Sequence, residues 1–175
     1  MKSQKLLVNS AAACLLLGVS GAALAAEDRT CDAKIINNET VNNLTVNGTA
    51  CYVSETVVLG NVTVTNSPTF AMTNNQVQGN ITVTGDGDED VLIYNTRVWG
   101  GPLTVTGAGI VWIFNNSIMT NPETNNMVFE NNKDEVDIFN NIVGGDLLCE
   151  GGNNAVVASN NVVLGTDTCQ LVGTP

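Results

Sequence analysis

One phrase recurs along this chain. Gly60-Asn61-Val62-Thr63-Val64-Thr65 is followed by Gly79-Asn80-Ile81-Thr82-Val83-Thr84 and by Gly101-Pro102-Leu103-Thr104-Val105-Thr106, and Asn43-Leu44-Thr45-Val46-Asn47 precedes them all. Self-similarity at a period near 20 residues marks a stack of equivalent supersecondary units, because one unit cannot bury its own apolar face and a stack can. A second phrase, apolar-x-apolar-x-Asn-x-x-Val, sets the register. It is read at Asn38, Ser54, Asn74, Asn95, Asn115, Asn140 and Asn160, with an insertion around Thr120 to Asn126. That predicts about seven turns of a coil. Each turn holds two or three short strands between Gly/Asn corners and pairs its backbone with the turns above and below, about 4.8 Å away.

The pattern within a turn is that of strands. Leu44/Val46, Val62/Val64, Ile81/Val83 and Leu103/Val105 alternate with polar residues, and Met127/Phe129 and Leu147/Cys149 extend the series. Such period-2 alternation puts the apolar set on one face. A second strand contributes Phe70/Met72, Val91/Ile93, Val111/Ile113, Val136/Ile138 and Ala155/Val157 or their immediate neighbours. No amphipathic helical period follows the amino-terminal segment.

A sharp corner favours a residue that tolerates left-handed backbone angles and bonds its own neighbours. Identical Asn side chains at strand spacing also bond each other in ladders. The expected structural ladder is therefore inward-facing and made of Asn38, Asn74, Asn95, Asn115, Asn140 and Asn160. A period near 20 with such a ladder resembles right-handed parallel β-helices of the pectate-lyase type. The expected fold is all-β: a right-handed parallel β-helix, or β-solenoid, of about seven turns.

Four cysteines lie beyond the amino-terminal segment: Cys31, Cys51, Cys149 and Cys169. Four allow three pairings. Cys149 and Cys169 stand at the same offset from Asn140 and Asn160, so they stack one turn apart, within disulfide reach. Cys31 and Cys51 pair by elimination. These bonds cap both ends of the solenoid, where an open coil exposes core and unpaired backbone.

Residues 1–26 read as a signal peptide: Lys2 and Lys5, an apolar run from Ala11 to Leu17, then Ala23-Leu24-Ala25 as a cleavage pattern. Residues 27–175 form a single β-solenoid domain, with no integral membrane segment after leader removal, placed in the periplasm or outside the cell. The whole chain carries a net charge of −11, and the only cations beyond the leader are Arg29, Lys34, Arg97 and Lys133. That charge argues against nucleic acid as a partner. The chain has no histidine, which removes the commonest general base and metal ligand.

Repeated Gly-Asn-Val-Thr-Val strands between terminal cysteines resemble a group of small secreted bacterial β-helix proteins. The resemblance runs from Cys31 to Cys169 and departs at the long fifth turn, where Met127-Val128-Phe129-Glu130 replaces the Thr strand. It implies architecture and carries no catalytic residues.

Three site readings follow. Thr63/Thr65, Thr82/Thr84 and Thr104/Thr106, flanked by Thr45, are expected to point outward and align in two columns. Such an array resembles the ice-binding face of β-solenoid antifreeze proteins, although Thr is also simply well suited to an exposed strand. Asp86-Gly87-Asp88-Glu89-Asp90 alternates acids on a Gly-flanked loop, as Ca²⁺ loops do, but lacks the rest of an EF-hand pattern and suits an ordinary solvated turn. Polysaccharide chemistry of the β-helix lyase kind needs a base with clustered acids. Arg97 is the only mid-chain base and has no acidic partner in its turn. The expectation is an exported structural or interaction module without catalysis, cofactor or metal, and with an extracellular polymer or extended surface as its class of partner. A Thr-based surface binder is the first alternative and a polysaccharide-binding or polysaccharide-active β-helix the second.

Overall fold

The structure, a computed structural model, describes residues 26–32, 35–119 and 124–169. The leader therefore lies outside the described residues, apart from Ala26, as does most of the insertion in the fifth turn. The described chain winds through three parallel seven-stranded sheets. The first sheet takes Arg29–Cys31, Leu44–Asn47, Val62–Thr65, Ile81–Thr84, Leu103–Thr106, Met127–Glu130 and Leu147–Glu150. The second takes Ile35–Asn37, Cys51–Ser54, Thr69–Thr73, Asp90–Tyr94, Ile110–Phe114, Glu135–Phe139 and Ala155–Ser159. The third is built from two-residue strands, from Thr40–Val41 to Val162–Val163. Each rung thus gives one strand to each sheet, and the protein is an all-β parallel β-solenoid with no helix in the described chain.

The core follows from strand alternation. Val62, Val64, Ile81, Val83, Leu103, Val105, Met127 and Phe129 are buried from the first sheet. Phe70, Met72, Val91, Ile93, Val111, Ile113, Val136 and Ile138 are buried from the second. One column comes from the third: Val41, Val58, Val77, Val98, Ile118 and Val143. Branched side chains of this kind stack closely on pleated strands. In the last rung the inward residue is Val156, with Ala158 packed beside it, because Val136 pairs with Val156 and Ile138 with Ala158. Of Ala155/Val157 and their immediate neighbours, it is the neighbours that face the core, and Ala155 and Val157 face outward.

The corner between the second and third sheets corrects the Asn reading by one residue. Asn38, Asn74, Asn95, Asn115, Asn140 and Asn160 do take left-handed backbone angles, with φ between 48 and 61°. Their side chains are exposed, however. The inward ladder belongs to the next residue: Thr56, Asn75, Thr96, Asn116, Asn141 and Asn161. Asn116 Oδ1 accepts from the Thr96 N–H at 2.8 Å, and its Nδ2 donates to the Ile93 carbonyl at 2.8 Å. Asn141 Oδ1 likewise accepts from the Asn116 N–H at 2.8 Å, while Nδ2 reaches the Ile113 carbonyl at 2.9 Å. Each inward amide thereby satisfies one backbone donor and one backbone acceptor that the bend removes from the sheet ladders. The left-handed residue swings its own side chain out, so the two requirements fall on consecutive positions. The second rung is also shifted: Glu55, not Ser54, takes the left-handed angle (φ 50°), and Val58 rather than Val57 enters the core column.

The Gly-Asn of the repeat makes a second ladder, at the corner between the third and first sheets. Asn43 Oδ1 accepts from the Asn61 N–H at 2.8 Å, and Asn61 Oδ1 from the Asn80 N–H at 2.9 Å. Asp28 heads this row, receiving the Asn43 and Asn42 side-chain amides at 2.9 and 2.8 Å. Those bonds, from Asn43 and then Asn42, hold its carboxyl below the usual range. Asn126 and Asp146 continue the row beyond Pro102, accepting from the Asp146 and Thr166 N–H groups. The preceding glycine is required by crowding: a Cβ on Gly79 would lie 2.5 Å from the Gly60 carbonyl oxygen and 2.3 Å from Asn61 Oδ1.

Both expected disulfides are present, near the ends of the stack. Cys149–Cys169 joins adjacent rungs at a Cα separation of 4.9 Å. Cys31–Cys51 spans 6.1 Å. It braces the first-sheet strand of the opening rung against the second-sheet strand of the next, because Cys31 pairs with Val46 whereas Cys51 pairs with Phe70.

Candidate functional site

All the sequence-predicted threonines lie on the outer side of the first sheet. Thr45, Thr63, Thr82 and Thr104 align strand to strand, and Asn47, Thr65, Thr84 and Thr106 form the parallel column. Thr30 pairs with Thr45 and heads the first column, which is therefore five threonines deep. Thr104 and Thr106 are half-buried and the others exposed. Val128 and Leu148 continue the first column, and Glu130 and Glu150 the second, so the hydroxyl array stops at the fifth rung.

The acidic loop is closed on itself. Glu89 is 3% exposed and turns its carboxylate inward. It accepts from the N–H groups of Asp86 and Gly87 at 2.9 Å and of Asp88 at 3.1 Å. Lys133 Nζ donates to the Asp86 carbonyl, and its side chain passes over Gly87, whose φ is +107°. The Glu89 carboxylate is thus turned to backbone amide donors, and the Lys133 ammonium sits at the Asp86 carbonyl. Among the described residues, no group of His, Cys, Asp and Glu side chains converges as a metal-ligand set.

Burial pushes the Glu89 carboxyl up, but the N–H donors of Asp86, Gly87, Glu89 and Asp88 outweigh it and hold the group below the ordinary glutamate range. A depressed carboxyl contributes stability above its unfolded pKa and loses it as pH falls through the folded value. We expect Glu89→Gln to cost about 1–2 kcal/mol at pH 7, since it removes hydrogen bonds to a charged acceptor. The gap between parent and variant should close on acidification. Parallel denaturant titrations across pH would measure it, and a gap that widens in acid would contradict the assignment.

The second sheet carries an outward surface that the threonine reading does not anticipate. One column runs Ile35, Tyr52, Ala71, Leu92, Trp112, Asp137 and Val157. The next carries Tyr94, Phe114 and Phe139 on three successive rungs before Ser159 ends it, with Phe114 and Phe139 stacked at 5.6 Å. Asp137 lies against this apolar strip, where burial, and then the charge of Glu135, raise its pKa.

No family model, curated protein or solved structure matches the chain.

Beside the aromatic column lies a polar groove of about 520 Å³, along the corner between the second and third sheets. Its walls include the exposed corner residues Glu55, Asn74, Asn95, Asn115 and Asn140, together with Gln76, Arg97 and Ser117 from the third sheet. Arg97 lies over the Trp99 ring at 6.0 Å, within cation–π range. The structure thus gathers the corner asparagines into a concave surface rather than into the core. One local signal marks this surface: Tyr94-Asn95, Phe114-Asn115 and Phe139-Asn140 repeat an aromatic residue directly before each corner.

Proposed function

We propose that this chain is an exported, non-catalytic interaction module. It is a rigid rod of the cell surface or extracellular matrix that presents repeated side chains to an extended partner. The observation carrying this reading is the strict register of its outer faces. Chemically alike residues recur over several consecutive rungs, threonines on the first sheet and asparagines at the corner, which suits a partner with its own regular repeat. Export is supported by the leader-like amino terminus together with two disulfides, which persist in oxidising compartments. Among the described residues no helix is long and apolar enough to cross a membrane. Sedimentation of the purified protein with insoluble cellulose, chitin or peptidoglycan tests the reading. Retention on a polymer supports it, and a protein left wholly in the supernatant by all three contradicts it.

A second reading rests on the first sheet alone. Five aligned threonines, with a second column of three beside them, make a face about 19 Å tall at strand spacing. Solenoid stacking is one of the few arrangements that flattens a sheet. Such a face suits an ordered surface, with ice the most specific candidate. The face is short, so the expected activity is weak. Thermal hysteresis and ice recrystallisation would be measured in the parent and in the Thr82→Lys/Thr104→Lys variant. The variant should keep the strand signal in circular dichroism and lose the activity. If the parent shows no activity, or the variant retains it, ice binding is wrong.

A further inference from the structure

We propose that the corner groove binds a linear, uncharged polysaccharide. The corner asparagines act as a hydrogen-bonding rail, and the aromatic column is an apolar strip that flanks the groove. This proposal deepens the interaction-module reading and rests on it, but it uses a different face from the threonines.

The rail comes from backbone geometry. Asn74, Asn95, Asn115 and Asn140 share the same left-handed conformation, so each side chain leaves the corner in the same way. Asn95 Nδ2 donates to Asn74 Oδ1 at 2.6 Å. The side chains of Asn115, Asn140 and Gln76 make no hydrogen bond to another described residue. A primary amide carries both donors and acceptors, as a sugar hydroxyl does. A row of amides repeating every ~4.8 Å therefore matches a chain of hydroxyl-bearing units. From the rung of Glu55 to that of Asn140 the groove is about 19 Å long, enough for a short oligosaccharide.

An apolar strip flanking the groove, outside its own lining, comes from the residue before each corner. Tyr94, Phe114 and Phe139 stand in register on successive rungs, outside the core, one position from Asn95, Asn115 and Asn140. An apolar surface with a few convergent polar groups is the usual make-up of a small-molecule or glycan site. The C–H faces of sugar rings would reach over the groove's edge onto this strip, with their hydroxyls directed to the amides.

Charge selects the class of glycan. The groove holds one cation, Arg97, and one acid, Glu55, whereas the chain as a whole carries −11. An acidic polymer would approach a strongly like-charged molecule with only Arg97 to receive it. A neutral polymer meets no such penalty.

Titration calorimetry with cellohexaose and mannohexaose, with hexagalacturonate as the acidic comparison, tests the proposal. The key variant is Asn95→Gly/Asn115→Gly. Glycine keeps the left-handed corner without strain and removes only the side chains. The parent should bind a neutral hexasaccharide in preference to the acidic one, and the double variant should weaken that binding at least tenfold with an unchanged circular dichroism spectrum. Ser117→Ala/Gln76→Ala, with Ser117 half-buried and Gln76 exposed on the outer side of the third sheet, gives the same readout if the glycine variant fails to fold. Three results would overturn the groove as a glycan site: no binding of either neutral sugar, preference for hexagalacturonate, or undiminished affinity in a folded groove variant. If the parent sediments with an insoluble polymer but fails these tests, the groove proposal falls and the module reading stands. If it does neither, both fall.

Discussion

Replacing Asn116 by alanine is expected to cost roughly 3–5 kcal/mol, since each buried polar group left unpaired costs about 1–3 kcal/mol. Asn116 is 1% exposed and sits between two rungs. Its loss strips the Thr96 N–H of its acceptor and the Ile93 carbonyl of a donor, and it breaks the 3.1 Å amide bond to Asn141. The neighbouring change Asn115→Gly should cost far less: the side chain is exposed and glycine accepts the φ of 56°. Urea unfolding of both variants decides between them. A larger loss at Asn115 than at Asn116 would mean that the inward ladder has been assigned to the wrong residue.

The second large effect is expected from the disulfides. Each closes a loop of sequence separation 20, which in the chain-entropy model contributes about 3 kcal/mol. For a chain of this size such a loss lowers Tm by roughly 6–12 °C. A solenoid is held together by contacts between neighbouring rungs, so its ends open first. Cys149→Ser/Cys169→Ser should therefore expose amides after Leu147 to rapid hydrogen exchange while the central rungs, around Ile81–Thr84, stay protected. Cys31→Ala/Cys51→Ala should act more broadly, because that bond ties two different sheets through the core and replacing it leaves space beside Phe70. Differential scanning calorimetry with exchange mass spectrometry would measure both. Unchanged Tm and exchange in the two double variants would contradict the capping role.

The rungs are legible in the sequence because burial imposes period 2 on each strand and stacking imposes a period near 20 on the chain. Val62/Val64 over Ile81/Val83 needs no structure to be seen. The one-residue error in the ladder has a physical origin. Left-handed geometry and side-chain laddering both favour Asn, and Asn74-Asn75, Asn115-Asn116 and Asn140-Asn141 offer both residues together. Pattern alone does not say which of the two turns inward. Thr96, in the inward position, is the local hint, since a β-branched residue is poorly suited to the left-handed site that Asn95 occupies. The Val57-Val58 pair blurs the register at the second rung in the same way. Thr30 escapes the threonine pattern because its strand lacks the flanking Gly-Asn. The groove is hidden for a different reason: it arises where two sheets meet, and only the repeated aromatic-Asn pairs foreshadow it.

The central claim is that regular outer faces hold a polymer without altering it. Both halves can be read from one incubation of the purified protein with insoluble cellulose, chitin or peptidoglycan, assayed over a day. The account predicts protein in the pellet of at least one polymer and no rise in soluble saccharide above the protein-free control. Soluble products that accumulate in proportion to added protein would contradict it.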